Sequence, residues 1–241
     1  MPPDIEYHLR NQHGDDQRID LYLDASDHSL VVPDNYQAPE WARLDHCQCS
    51  HCPLSHHQHR DCPVARNLAY TLPKTDLGPS HEPVTLEVHA HQRCYRMETT
   101  LQRALGSLFG LVCALSDCPH TLFLRPMAQF HLPVSNERET LVRSASLYLL
   151  QRYVAQQQDP SISVDLEGLN HQYQQINTLN HCFVERLRRG RDCEAPVNAL
   201  VLLQVLTKDM KSELEEVLAS LAPLFSLQED EDASRPAAND Y

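Results

Sequence analysis

Val84-Thr85-Leu86-Glu87-Val88-His89-Ala90-His91 alternates apolar and polar side chains with a period of two, the pattern of a strand buried on one face. Shortly after it, Ala104–Leu115 is apolar nearly all round, as in a helix enclosed by a core. Thr99, with Gln102 three residues on, supplies a capping-box start for that helix. The change of period within one short stretch places β and α elements side by side. The expected fold class is therefore α+β: a small N-terminal antiparallel β part with a cysteine-rich metal loop, packed on a mainly helical C-terminal body.

Towards the N-terminus, Ile5–Leu9 and Arg18–Leu23 flank a turn at Gly14-Asp15-Asp16 and predict an antiparallel hairpin. Ser29–Val32, closed by Pro33, is expected to add a short third strand. Val64–Leu72 predicts a short helix stopped before Pro73. Towards the C-terminus, Asn136 with Glu139 caps a helix running to about Gln156. A long helix then begins at Asp165. Its stripe is Leu166, Leu169, Tyr173, Ile176, Asn180, Phe183 and Leu187, and it closes on Arg186, Arg188, Arg189 and Gly190. Asn180 interrupts the stripe at a core-facing position. Two further helices are expected over Glu194–Thr207 and Lys208–Leu221. Residues 1–227 read as a single globular domain (1–40 β hairpin region, 41–75 cysteine-rich metal module, 84–227 strand plus helical body), and 228–241 as a disordered acidic tail.

The 241 residues carry 33 acidic against 20 basic side chains, a formal net charge of −13. Four of those excess negative charges sit in the tail. Such a balance excludes a general nucleic-acid or anionic-membrane binder, which needs clustered Lys and Arg, and leaves a protein as the expected partner. Ala104–Leu115 is too short to span a bilayer, which takes about 20 residues. Met1-Pro2-Pro3-Asp4 lacks the basic and apolar regions of a secretion signal, so the expected location is cytoplasmic. There is no phosphate-binding glycine loop, no dinucleotide fingerprint, no His-Glu-x-x-His and no Gly-x-Ser-x-Gly.

Nine cysteines are an odd number, and a reducing compartment disfavours structural disulfides. Four of them, Cys47, Cys49, Cys52 and Cys62, form the pattern Cys-x-Cys-x2-Cys-x9-Cys in a segment without hydrophobic periodicity. Metal binding supplies the order that such a segment lacks. Zinc takes four thiolates in a tetrahedron at about 2.3 Å, so a structural Zn2+ is the expected cofactor. An iron–sulfur cluster, which also takes four thiolates, is the alternative. His46, His51, His56, His57 and His59 lie in or beside the block. Any of them can replace a cysteine ligand, although exposed loop histidines are the plainer expectation. The scattered Cys94, Cys113, Cys182 and Cys193 read as small buried hydrophobes.

A second constellation follows the buried helix, from Cys118-Pro119-His120 through Arg125-Pro126 to His131-Leu132-Pro133. Arg125, held extended before a proline, is a candidate clamp for a carboxylate or phosphate. His131 is a candidate general base or ligand. Cys118 completes this candidate catalytic set, and as a remote metal ligand it is not required once four local cysteines are available. The rival expectation is a connector packed over the core, with Arg125 salt-bridged and His131 hydrogen-bonded.

Cys52-Pro53-Leu54, Cys62-Pro63-Val64-Ala65, Arg125-Pro126-Met127-Ala128 and Phe130-His131-Leu132-Pro133 resemble the signature of a family of uncharacterised bacterial proteins, a domain of unknown function. The resemblance covers about Ile5 to Phe225 and implies the same order of strand pair, cysteine block and helical body. It leads one to expect arginine where Gln129 stands and glycine where Asp117 stands. It implies no activity and no cofactor. The functional expectation is therefore a metal-binding protein with a four-cysteine zinc site and a helical interaction body. An iron–sulfur redox or gas sensor is the first alternative, and an enzyme built around Arg125 and His131 is the second.

Overall fold

The computed structural model describes residues 2–190, 196, 198–199, 201 and 210–225. β1 (Ile5–Asn11) buries Ile5, Tyr7, Leu9 and Asn11 on one face. It pairs antiparallel with β2 (Asp16–Leu21), which buries Ile19 and Leu21. The turn between them is fixed by Asn11, whose Oδ1 accepts from the amides of His13 (3.0 Å) and Asp15 (2.9 Å). Gly14 takes the left-handed conformation at φ 93° that the turn requires.

β1 pairs on its other side with β3 (Pro83–Ala90), and β3 with β4 (Arg93–Thr100), so the antiparallel sheet has the order β2-β1-β3-β4. The inward residues of β3 are Val84, Leu86, Val88 and Ala90. β4 is an additional strand that reading the sequence misses. Its two-residue turn uses His91 and Gln92, both at positive φ (51° and 63°), as the right-handed twist of a tight hairpin demands. Thr99 consequently belongs to β4, and Thr100 precedes the next helix without a capping hydrogen bond from its side chain. Ser29–Val32 does not become a strand; Leu30 forms only an isolated bridge with Leu23.

The long connection from β2 to β3 holds the cysteine loop and α1 (Pro63–Thr71). α2 (Leu101–Ala114) lies buried against the sheet and α1. After it come α3 (Arg125–Gln129), α4 (Glu137–Gln156), α5 (Glu167–Gly190) and α6 (Met210–Phe225). The capping box of α4 is formed in both directions: Asn136 Oδ1 accepts from the Glu139 amide at 2.9 Å, and the Glu139 carboxylate accepts from the Asn136 amide at 2.8 Å.

Among the described residues, two apolar cores result. The larger joins the sheet, α1, α2 and the C-terminal half of α5 through Leu179, Phe183, Val184 and Leu187. The smaller joins Leu141, Ala145 and Tyr148 of α4 to Leu169 and Tyr173 of α5 and Leu214 of α6. Asn180 is buried on the same stripe, beside Leu179. The stretch Glu194–Thr207 lies largely outside the described residues, although Ala199 within it is fully buried in the larger core. The acidic tail 228–241 and Cys193 lie outside them altogether. Among the described residues no helix is long and apolar enough to cross a membrane.

Candidate metal centre

The cysteine loop is a closed excursion. Leu44 N donates to Arg60 O (2.9 Å) and Cys62 N to Ala42 O (2.8 Å), and Arg43 bridges Asp61. Trp41, Ala42 and Leu44 at this neck are buried. Cys62 immediately precedes α1, with Pro63 in its first turn. Its sulfur is buried, which pushes the thiol pKa up; Arg186 and the amides of Ala65 and Val64 act in the opposite sense and favour the thiolate. Cys49 and Cys52 are half-buried and joined by a turn in which Cys52 N donates to Cys49 O (3.0 Å). The Cys49 thiol is pushed up by burial, then by the neighbouring Cys182 and Cys62 sulfurs, and further by Cys118.

Cys118 is the residue whose place in this cluster local spacing does not disclose. It lies buried just beyond α2. Its pKa is pushed up to about 12, by burial first, with Cys62 and Cys52 adding to the rise and the amides of His120 and Thr121 opposing it. Ring contact between His51 and His120 (centroids 4.1 Å) and a hydrogen bond between His120 Nε2 and His51 O (3.0 Å) seam the two loops together. Cys182, half-buried on α5, acts on Cys49, and Cys113, buried within α2, is pushed up by burial and then by Cys118 and Cys62. Cys94 departs from the expected buried position and is exposed on β4.

Cys47 stands apart. Its backbone is left-handed (φ 50°), and its carbonyl accepts from Arg186 Nη2 at 3.3 Å. Arg186 is the largest fully buried side chain. Its Nη1 also donates to Trp41 O (2.7 Å) and Arg43 O (2.6 Å), while Nε has no partner. Among the described residues no carboxylate forms an ion pair with it. A buried cation without a counter-anion is costly, and thiolates are the nearby groups able to carry the missing charge.

Among the described residues, one set of three or more potential ligands has all its ligand atoms within 4.8 Å of one another: Glu87, His89 and Cys94, on the solvent side of β3 and β4. No three sulfurs of the buried cluster meet that limit. A tetrahedral zinc centre holds its sulfurs roughly 3.8 Å apart, a spacing that no three of these thiols share. The donor set itself fits a borderline-soft cation. Of the loop histidines, His56, His57 and His59 are exposed. His51 spends Nε2 on Gln175 O (3.2 Å), and His46 Nε2 is buried without a partner.

The second constellation disperses. Arg125 is not extended; it opens α3 in helical conformation (φ −56°, ψ −38°), with Pro126 in the first turn. Proline is tolerated there because that amide has no intrahelical partner. The Arg125 guanidinium is bound to Ser116 O and Asp117 Oδ1 (both 2.9 Å) and to Asp27 Oδ2 (3.4 Å). Asp117 thus neutralises the arginine from the position where glycine was expected. Gln129 Oε1, where arginine was expected, is buried without a partner.

His131 Nε2 bonds Tyr7 Oη at 2.5 Å, and Tyr7 Oη also bonds Ser107 Oγ at 3.1 Å. Burial, then Arg143 and His91, push the His131 pKa down to about 3. His131 lines a largely apolar cavity of about 490 Å³ with Ser107, Arg143, Tyr173 and Asn180. Arg125 and Cys118 do not line it.

A family model described as a domain of unknown function (DUF6901) matches residues 5–226. No curated protein and no solved structure matches the chain.

Proposed function

The chain belongs to the DUF6901 family, a domain of unknown function, and from that premise we propose that it is a metal-binding protein whose buried cysteine cluster holds a structural zinc. The observation that supports this reading is Arg186: a fully buried guanidinium without a carboxylate partner among the described residues, whose charge favours the Cys62 thiolate. Four thiolates on a divalent cation carry a net charge of about −2, which gives that cation its counter-charge. The amides facing Cys62 and Cys118 favour the same deprotonated sulfurs.

The metal's role is to order a loop that has little apolar content of its own and to fix it against α5. The helical body then serves a protein partner. Leu150, Tyr153 and Val154, spaced three and four residues apart on α4, are exposed and suit such a contact.

Metal analysis together with a visible spectrum of the purified protein tests the proposal. A colourless sample with about one zinc per chain supports it. Brown colour with broad visible absorption replaces zinc by an iron–sulfur cluster. Neither metal, in protein purified without chelators, sinks both. Cys49→Ser is expected to lose the bound zinc and to lower the melting temperature.

A further inference from the structure

We propose that the cavity of about 490 Å³ bounded by α2, α3, α4 and α5 binds a medium-chain carboxylic acid, with the carboxylate on Arg143 and the alkyl chain along α2. The site stands independently of the metal-binding reading. Its hollow follows from the sequence of α2. Gly106, Gly110 and Ala114 recur every fourth residue along the cavity wall, and a helix face with that spacing carries almost no side-chain volume. The bulky Leu105, Leu108, Phe109 and Val112 of the same helix belong to the larger core. Leu141 of α4 and Ile176 of α5 add apolar wall. The volume falls within the roughly 300–1,000 Å³ usual for small-molecule sites.

Several polar groups that reach the cavity are already bound. His131 Nε2 and Ser107 Oγ share the Tyr7 hydroxyl, and Tyr173 Oη donates to Ser144 Oγ (2.7 Å). Asn180 and Arg143 are different. Asn180 is 4% exposed, lines the cavity, and its side chain makes no hydrogen bond among the described residues. Buried amides are ordinarily paired, so this one is open to a ligand. Arg143 is half-buried. Its Nη2 donates to Phe130 O (2.5 Å) and Met127 O (3.3 Å). Its Nη1 and Nε have no hydrogen bond, and no carboxylate pairs with it, among the described residues. Glu139, one turn back on α4, is held by the Asn136 amide. Glu137 also lines the cavity, but it is exposed. A charge drawn out of water calls for a partner of opposite sign. Arg143, His131 and Leu132 also line a second hollow of about 430 Å³, which contains Arg93. Arg143 therefore stands where the apolar space meets a second cation. An anion with an apolar tail matches both sides of that junction.

Calorimetric titration of the full chain with decanoate, decanol and acetate tests the site. Decanoate is expected to bind saturably at one per chain, decanol about tenfold or more weakly, and acetate not at all. Arg143→Gln is expected to weaken decanoate about tenfold or more and to leave decanol unchanged, since only the carboxylate uses the guanidinium. Gly110→Leu, which puts a branched side chain into the hollow, is expected to abolish binding of both. Absence of saturable decanoate uptake overturns the proposal. Equal affinity for decanoate and decanol, or an Arg143→Gln protein that binds decanoate like the parent, overturns the role of Arg143. Decanoate binding that survives Gly110→Leu overturns the cavity as its place. If either variant fails to fold, nuclear Overhauser contacts from labelled decanoate to the Ala114 and Leu141 methyl groups of the parent protein decide the matter; their absence sinks the proposal.

Discussion

The cysteine loop and the connector from Cys118 to Pro133 are equally dense in reactive side chains, yet they end differently. In the first, several groups act on one another: burial and the Cys182, Cys62 and Cys118 sulfurs push the Cys49 thiol up, and Arg186 acts on Cys62. In the second, each group finds a separate partner: Arg125 its aspartates and His131 the Tyr7 hydroxyl. Chemistry needs convergence, and side-chain type at a given spacing does not guarantee it. What separates the two is the charge left over: Arg125 is neutralised by two carboxylates, whereas Arg186, among the described residues, meets three carbonyls and the face of the Phe183 ring.

The contrast breaks most visibly at Arg186. Arg186→Met removes donors from three carbonyls at the loop neck and is expected to cost about 3–5 kcal/mol in urea unfolding. An unchanged midpoint would mean that the guanidinium does not hold the loop.

His131 comes next. Its folded-state pKa lies below the unfolded value, so the neutral buried imidazole contributes stability that is complete above about pH 6.5 and is lost as pH falls towards 3. The expected acid limb has a slope of at most about 1.4 kcal/mol per pH unit from this group. His131→Asn is expected to flatten it in a pH series of thermal melts.

Arg125→Gln should cost only about 1 kcal/mol, since its carboxylate partners are largely exposed; a collapse of the fold would place Arg125 with Arg186 rather than against it. Smallest of all is Cys94→Ser on the exposed face of β4, expected within about 0.5 kcal/mol of the parent and without change in tightly bound zinc.

Strong local periodicity made most elements legible in the sequence. The alternation over Val84–His91, the Asn136–Glu139 cap and the α5 stripe all name structures that form. β4 escaped because Arg93–Thr100 is half-exposed along an edge and carries no apolar run; its strand character comes from pairing with β3. Arg125 was misread because a residue before proline usually avoids the helical region. Here its bonds to Ser116 and Asp117 hold it helical. For the site, spacing singled out Cys47, Cys49, Cys52 and Cys62 and treated Cys118 as dispensable; that Cys182 and Cys118 act on Cys49 depends on tertiary packing, which local spacing does not carry.

One element belongs to both cores. α5, 24 residues long, spans about 36 Å, with Leu169 and Tyr173 in one core and Phe183 and Leu187 in the other. It works as a common axle: neither core can melt without exposing half of a helix the other still grips. Heating is therefore expected to produce a single cooperative transition rather than two. Loosening the cysteine loop at one end should be felt as faster amide exchange around Tyr173 at the other.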